Sequence, residues 1–205
     1  MTLLRRRTFL AASLAALSLP LANGAQAQQL SLAEVSRHLN SFTTAEGEFT
    51  QINADGTIST GQIYIKRPGR IRFEYNPPDR SLVLSGGGSV AIFDPQSDTN
   101  PERYPLAETP LKIILENTID LGQSGMVTRE SYDGTATTVT AQDPQRPQLG
   151  NIQLRFTGNP TELRQWVVTD DTGTQTTVIL GDLAKNVSIP DSQFNITAEA
   201  RRWGG

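Results

Sequence analysis

Two periodicities divide this chain. Over residues 31–42, Leu32, Val35, Leu39 and Phe42 recur at helical spacing, and Ser31 with Glu34 supplies a capping box at the start. The spacing predicts an amphipathic helix. After it the period falls to two. Residues 46–53 and 57–66 flank Asp55-Gly56, the signature of a tight hairpin. Ile71, Phe73 and Tyr75 alternate with Arg72 and Glu74, so one face of that strand is apolar and the other polar.

The alternation continues through short strands over 81–85 and 89–94, joined by Gly86-Gly87-Gly88, and then lapses. Residues 94–105 are rich in Pro and Asp and read as a long loop. A second helix follows, with Thr109 as N-cap, Pro110 at the first helical position, and Leu111, Ile114 and Leu115 as its apolar side. Beyond Gly125, strands are expected over 126–132, 135–142, 150–156, 163–169 and 175–180, with a short last one over 187–189. The pattern predicts a mainly β fold with helices inserted at two points. One open antiparallel barrel of about ten to eleven strands, covered by helices, is the economical architecture. Aromatic residues are scattered and form no girdles, which argues against an outer-membrane barrel.

The N-terminus carries a different message. Arg5, Arg6 and Arg7 precede an apolar run over 9–21, and Ala25-Gln26-Ala27 offers small residues at the positions a signal peptidase reads. The run is shorter than the ~20 residues of a membrane-spanning helix. Residues 1–27 are therefore expected to be a cleavable signal peptide, leaving 28–205 as one domain outside the cytoplasm. Arg6-Arg7-Thr8-Phe9-Leu10 also fits a twin-arginine signal, so two export routes stay open. Removing 1–27 takes away three basic residues and no acidic one, leaving a net charge of −6. An acidic domain is a poor partner for nucleic acid. Cysteine is absent, so the fold must rest on its apolar core.

Candidate chemistry is sparse. His38 is the one histidine and sits on the first helix, where it reads as solvent-facing. No metal site, cofactor site or nucleophile motif is expected, and the acidic residues fall mostly in turns, where Asp caps the backbone. Arg67 stands out. Alternation puts it on the same face as Ile63 and Ile65, opposite Lys66, and a guanidinium there would be buried. Alternatively, Pro68 ends the strand and Arg67 is a solvated turn residue. Periodicity alone leaves both open.

Several of these segments, taken in order, resemble the LolA family of periplasmic lipoprotein carriers. They are Phe49-Thr50-Gln51, Ile63-Tyr64-Ile65-Lys66-Arg67-Pro68-Gly69, Phe73-Glu74-Tyr75, Leu82-Val83-Leu84-Ser85, Val90-Ala91-Ile92-Phe93-Asp94-Pro95 and Thr109-Pro110-Leu111. The resemblance implies an incomplete barrel enclosing an apolar cavity for the acyl chains of lipoproteins. It implies that Arg67 latches the helical lid by hydrogen bonds. It further implies delivery from an inner-membrane ABC-type release complex to an outer-membrane receptor lipoprotein, by a non-enzymatic protein without cofactor or metal, expected here to be a monomer.

Taken with the alternation, cavity-lining positions are Phe49, Ile63, Ile65, Ile71 and Phe73, then Leu82, Leu84 and Ile92, and from the lid Leu111, Ile114 and Leu115. Where the family often has tryptophan, this chain has Tyr64, Phe73 and Ala91, so its cavity wall is expected to be less aromatic. The tail over 195–205, with Arg201-Arg202-Trp203, has no assigned role. A lipid-binding adaptor or sensor of the same fold, and a periplasmic hydrolase using carboxylates, are the competing readings.

The export reading predicts that the mature protein starts at Gln28 by N-terminal sequencing; an intact Met1 on the soluble, working form would refute it. Replacing Arg6 and Arg7 by Lys separates the routes, since only twin-arginine export should be lost.

Overall fold

A computed structural model describes residues 28–97 and 100–203. The expected signal peptide lies outside these residues. Three helices, α1 (Leu32–Asn40), α2 (Lys112–Leu115) and α3 (Ile196–Trp203), accompany twelve strands among the described residues. The first six strands are β1 (Thr44–Ile52), β2 (Ile58–Lys66), β3 (Arg70–Tyr75), β4 (Leu82–Gly86), β5 (Ser89–Phe93) and β6 (Glu102–Pro105). The rest are β7 (Val127–Tyr132), β8 (Ala136–Ala141), β9 (Asn151–Thr157), β10 (Glu162–Thr169), β11 (Gln175–Leu180) and β12 (Ala184–Lys185).

All pair antiparallel in one open sheet, in the order β6-β5-β4-β3-β2-β1-β11-β10-β9-β8-β7, with β12 also on β1. The order follows from hairpins. The chain winds outward from β1 to β6, crosses through α2, and winds back from β7 to β11 on the other side of β1. The two free edges are therefore β6 and β7, and the segment linking them carries α2.

The local chemistry explains these elements. Ser31 and Glu34 close the capping box of α1 in both directions. Gly87 and Gly88 both have positive φ, which the tight β4–β5 turn requires of its two central residues.

Four expectations need correction. Residues 102–105 form β6 rather than loop, because its backbone pairs with β5 and half-buried Tyr104 packs against the core. No strand forms over 187–189; the short strand is 184–185, and Asn186 at φ 57 breaks it. Thr109 does not cap α2. Its hydroxyl bonds the Leu106 carbonyl, closing a short 3-10 turn, and α2 begins only at Lys112.

The fourth correction concerns the two faces of the sheet. The concave face and the helices over it form one large apolar core, in which Phe49, Phe73 and Trp166 meet edge to face. Leu82 and Leu84, expected on that face, point the other way. They pair with Phe93 and Ala91 and pack with Ile189, Phe194 and Ile196 in a second core on the convex side. The register decides this: Leu84 sits opposite Arg72 and Leu82 opposite Glu74, both on the polar face of β3. That second core is roofed by the tail. Buried Glu199 of α3 pairs with Arg72 at 3.2 Å, and Asp191 holds Lys66 and Arg70 at 2.6 Å each.

Leu84 is fully buried in the convex core. Leu84→Ala should therefore cost about 3 kcal/mol in urea unfolding, as truncation of a buried leucine does. Apolar-probe binding to the concave side should stay at the wild-type level; weakened probe binding would put Leu84 back on the concave wall.

Candidate functional site

The concave interior is built from alternate residues of adjacent strands, and the register sets their positions. Ile63 lies beside Phe73 and Ile65 beside Ile71, while Phe49 of β1 sits across from Gly61. Gly61 matters here: a Cβ would meet the Phe49 ring at 2.7 Å and the Glu74 carbonyl closer still. Of the positions singled out from sequence, Phe49, Ile63, Ile65, Ile71, Phe73, Ile114 and Leu115 are buried in this one core. Leu111 packs half-buried against it. Ile92 is half-buried, on the face of β5 that also carries Val90. Leu82 and Leu84 are not part of it.

Sequence reasoning left out the far wall, where Leu154, Phe156 and Trp166 from β9 and β10 are buried. The alternation that placed those strands could have assigned them. The roof is α1, through Val35 and Leu39, with Phe42 just after it, together with α2 and the following residues Ile119 and Leu121.

Arg67 follows β2 directly and is buried, 6% exposed. Its Nη2 donates to the Leu39 carbonyl at 2.6 Å and also to the Phe42 carbonyl. Its Nη1 reaches the Asn40 side-chain oxygen and the Glu116 carbonyl, each at the long distance of 3.5 Å. Arg67 thus joins β2 to the end of α1 and to the segment after α2. The place suits a cation, because the last carbonyls of a helix lack partners and carry its negative dipole end. The guanidinium also lies 5.6 Å from the centroid of the Phe42 ring, which Lys185 approaches at 5.7 Å. All four oxygens that it bonds are neutral, and its Nε is buried without a hydrogen bond. Burial lowers the Arg67 pKa from its ordinary value. The backbone adds one more tie, since the Gly69 N–H donates to the Leu115 carbonyl at 2.8 Å.

His38 does not face solvent as expected. It is a half-buried residue of α1, edge-on to Phe42 and Phe156 at about 6 Å between ring centroids. Among the described residues no group of His, Asp and Glu could hold a metal, and no helix is long and apolar enough to cross a membrane. Beside the lid, α2 and the β8–β9 connection frame a groove of about 400 Å³. Ile113 and Ile119 line both this groove and the interior, while Lys112, Asp143 and Arg146 form part of its rim.

One apolar face of the open antiparallel sheet is thus roofed by helices, and buried Arg67 bonds that roof to the sheet. The family model described as outer membrane lipoprotein carrier protein LolA matches residues 40–197. The chain belongs to the LolA family. A relative from Chromohalobacter salexigens, named outer-membrane lipoprotein carrier protein, is 28% identical over 93% of this chain and 95% of its own length. One of the same name from Azotobacter vinelandii is 23% identical, over 83% of this chain and 86% of its own. Among solved structures, a LolA superfamily protein from Nitrosomonas europaea gives a TM-score of 0.44 at 11% identity, covering 81% of this chain and 98% of its own. A putative outer membrane lipoprotein-sorting protein domain from Vibrio parahaemolyticus gives 0.47 at 10% identity, covering 83% of this chain and 97% of its own.

In this LolA-family chain the seating of α1 should depend on pH. Burial holds the His38 pKa below its ordinary 6.5, with Lys185 pushing the same way and Glu162 opposing. The folded value lies below the unfolded one, so the unfolded chain takes up this proton first. The stabilisation is complete above the unfolded value and is lost as pH falls through the folded value. Tm should thus drop as pH falls from about 7.5 through the ordinary histidine range, and His38→Gln should remove part of that drop. An identical drop in both proteins would clear His38 of the effect.

Proposed function

We propose that this protein is a periplasmic carrier that takes lipoproteins by their acyl chains into the concave interior and ferries them from the inner to the outer membrane. The observation that carries the reading is the pairing of a continuous apolar interior with a lid held by Arg67 through neutral acceptors. The names of the relatives point the same way. On this reading an inner-membrane ABC-type complex loads the protein, and an outer-membrane receptor lipoprotein unloads it. The reading supposes export, with residues 1–27 removed.

The physics sets the requirement. An acyl chain of ~15 methylenes, at ~0.8 kcal/mol per buried CH₂, resists transfer into water by roughly 12 kcal/mol. Unassisted crossing of an aqueous compartment is then negligible. A carrier must cover the chains yet give them up. Hydrogen bonds from a charged group, worth ~1.5–3 kcal/mol each, suit a closure that is stable but reversible. The groove beside α2 supports a route of entry, because shifting Ile113 and Ile119 would join it to the interior.

Arg67→Leu tests the latch. Leucine fills the position without leaving a hole but supplies no donor, so the empty closed state loses stability relative to the open, loaded one. Loading should persist or tighten, while transfer to outer-membrane acceptor should slow by up to about a hundredfold if ~3 kcal/mol of closure is lost. Lys66→Leu is the control. Lys66 faces the convex side against Asp191 and the Ile189 carbonyl, so its loss should leave transfer unchanged. Wild-type transfer by Arg67→Leu would overturn the latch. Failure of the wild-type protein to bind a fluorescent fatty-acid analogue would overturn the carrier reading itself.

A further inference from the structure

The roof over the interior consists of two pieces that are distant in sequence. One is α1, held by the Arg67 bonds to Leu39 and Phe42. The other is α2 with residues 116–121, held at Leu115 by the Gly69 N–H and only loosely by Arg67 at Glu116. Nothing in an arginine latch by itself obliges both pieces to move together.

A polar seam joins them. Asn40, the last residue of α1, pairs with the backbone of Ile119 in both directions. Its Nδ2 donates to the Ile119 carbonyl at 2.7 Å, and its Oδ1 accepts from the Ile119 N–H at 3.0 Å. A carboxamide presents donor and acceptor side by side, as a peptide group does, so it can replace a neighbouring strand here. One helical turn earlier, the Ser36 hydroxyl accepts from the Leu121 N–H at 3.1 Å. Residues four apart share a helix face, so both contacts lie along one edge of α1. Ile119 and Leu121 are thereby held with their side chains buried in the interior. The oxygen of Asn40 that accepts from Ile119 also lies 3.5 Å from Arg67 Nη1.

We propose that Asn40, assisted by Ser36, is a positioning residue that couples the two pieces of the lid, so that release of α1 by Arg67 also releases residues 112–121. The residue type fits the task. Aspartate would lack the donor for the Ile119 carbonyl, and alanine would lack both partners. The outer side of Asn40 is exposed, so its truncation opens no buried hole and should leave the sheet intact. The functional meaning of the coupling rests on the carrier reading; the coupling itself does not.

Amide hydrogen exchange on the empty mature protein tests this without cargo. The amides of Ile113 and Ile114 report on α2 through their bonds to Pro110 and Leu111, and those of α1 report on the other piece. Arg67→Leu should speed exchange in both pieces together, by about tenfold for one lost net hydrogen bond. Asn40→Ala alone should speed exchange at α2 and leave α1 near its wild-type rate. With Asn40→Ala already present, Arg67→Leu should speed α1 only. This non-additivity is the signature of coupling, whereas a merely structural role for Asn40 gives additive effects. Additive effects, or wild-type exchange at α2 in Arg67→Leu, would overturn the proposal. If Asn40→Ala fails to fold, Ser36→Ala in the same cycle should show a smaller non-additivity, and none would overturn it. Should the chain bind no fatty-acid probe yet show the coupling, the carrier reading falls and the inference stands.

Discussion

Burying a guanidinium is costly, and much of the lid is arranged around meeting that cost at Arg67. The side chain cannot shed its charge at any physiological pH, so it must find acceptors inside the protein. Helix α1 ends where its last carbonyls can serve: Leu39 offers an otherwise orphaned oxygen, and the chain turns so that Phe42 offers another. A carboxylate partner would have bound more tightly, since it cancels the charge outright. Neutral carbonyls and one unbonded Nε leave Arg67 held but incompletely satisfied. On the carrier reading, that suits a contact able to break and reform.

The sheet carries apolar cores on both of its sides, not under the lid alone. With β1 at the centre, each half winds outward by hairpins, and the two edges finish at the mouth that α2 crosses. The convex side carries its own apolar core under the tail, with Glu199 and Arg72 paired in it. The frame therefore does not depend wholly on the lid side for its apolar burial. A protein with one core, opened on its functional side, would have to disrupt the core that folds it. On the carrier reading, α1 and α2 could then shift while the strands stay paired.

Much of this was legible in the alternation. Two-residue alternation and the turn signals between segments placed ten strands nearly to the residue, and Ser31 with Glu34 marked the start of α1. Arg67 was legible because a charge sat in an apolar series. Leu82 and Leu84 were misplaced for a physical reason: β4 is apolar on both faces around Leu82-Val83-Leu84, and a strand without polar alternation does not reveal its orientation. Only the register against β3 resolves it. Strand β6 escaped notice because a short edge strand needs little apolar content. Asn40 and Ser36 look like ordinary solvated helix residues, and their partners lie some eighty residues away.

His38 shows the limit of reading a helix face from its apolar stripe alone. It lies outside the Leu32, Val35 and Leu39 series, yet the curved sheet rises far enough for Phe156 to meet it. The roof side chains belong to the same packed core. Opening the lid would expose Val35, Leu39 and Phe42, at ~1.5–3 kcal/mol for each large apolar side chain, besides breaking the Arg67 bonds. The chain therefore has reason to stay shut. On the carrier reading, acyl chains entering the interior would restore that apolar burial and lower the cost of opening. On that reading the lid's position would follow occupancy, and loading and unloading would draw on the partners at either membrane.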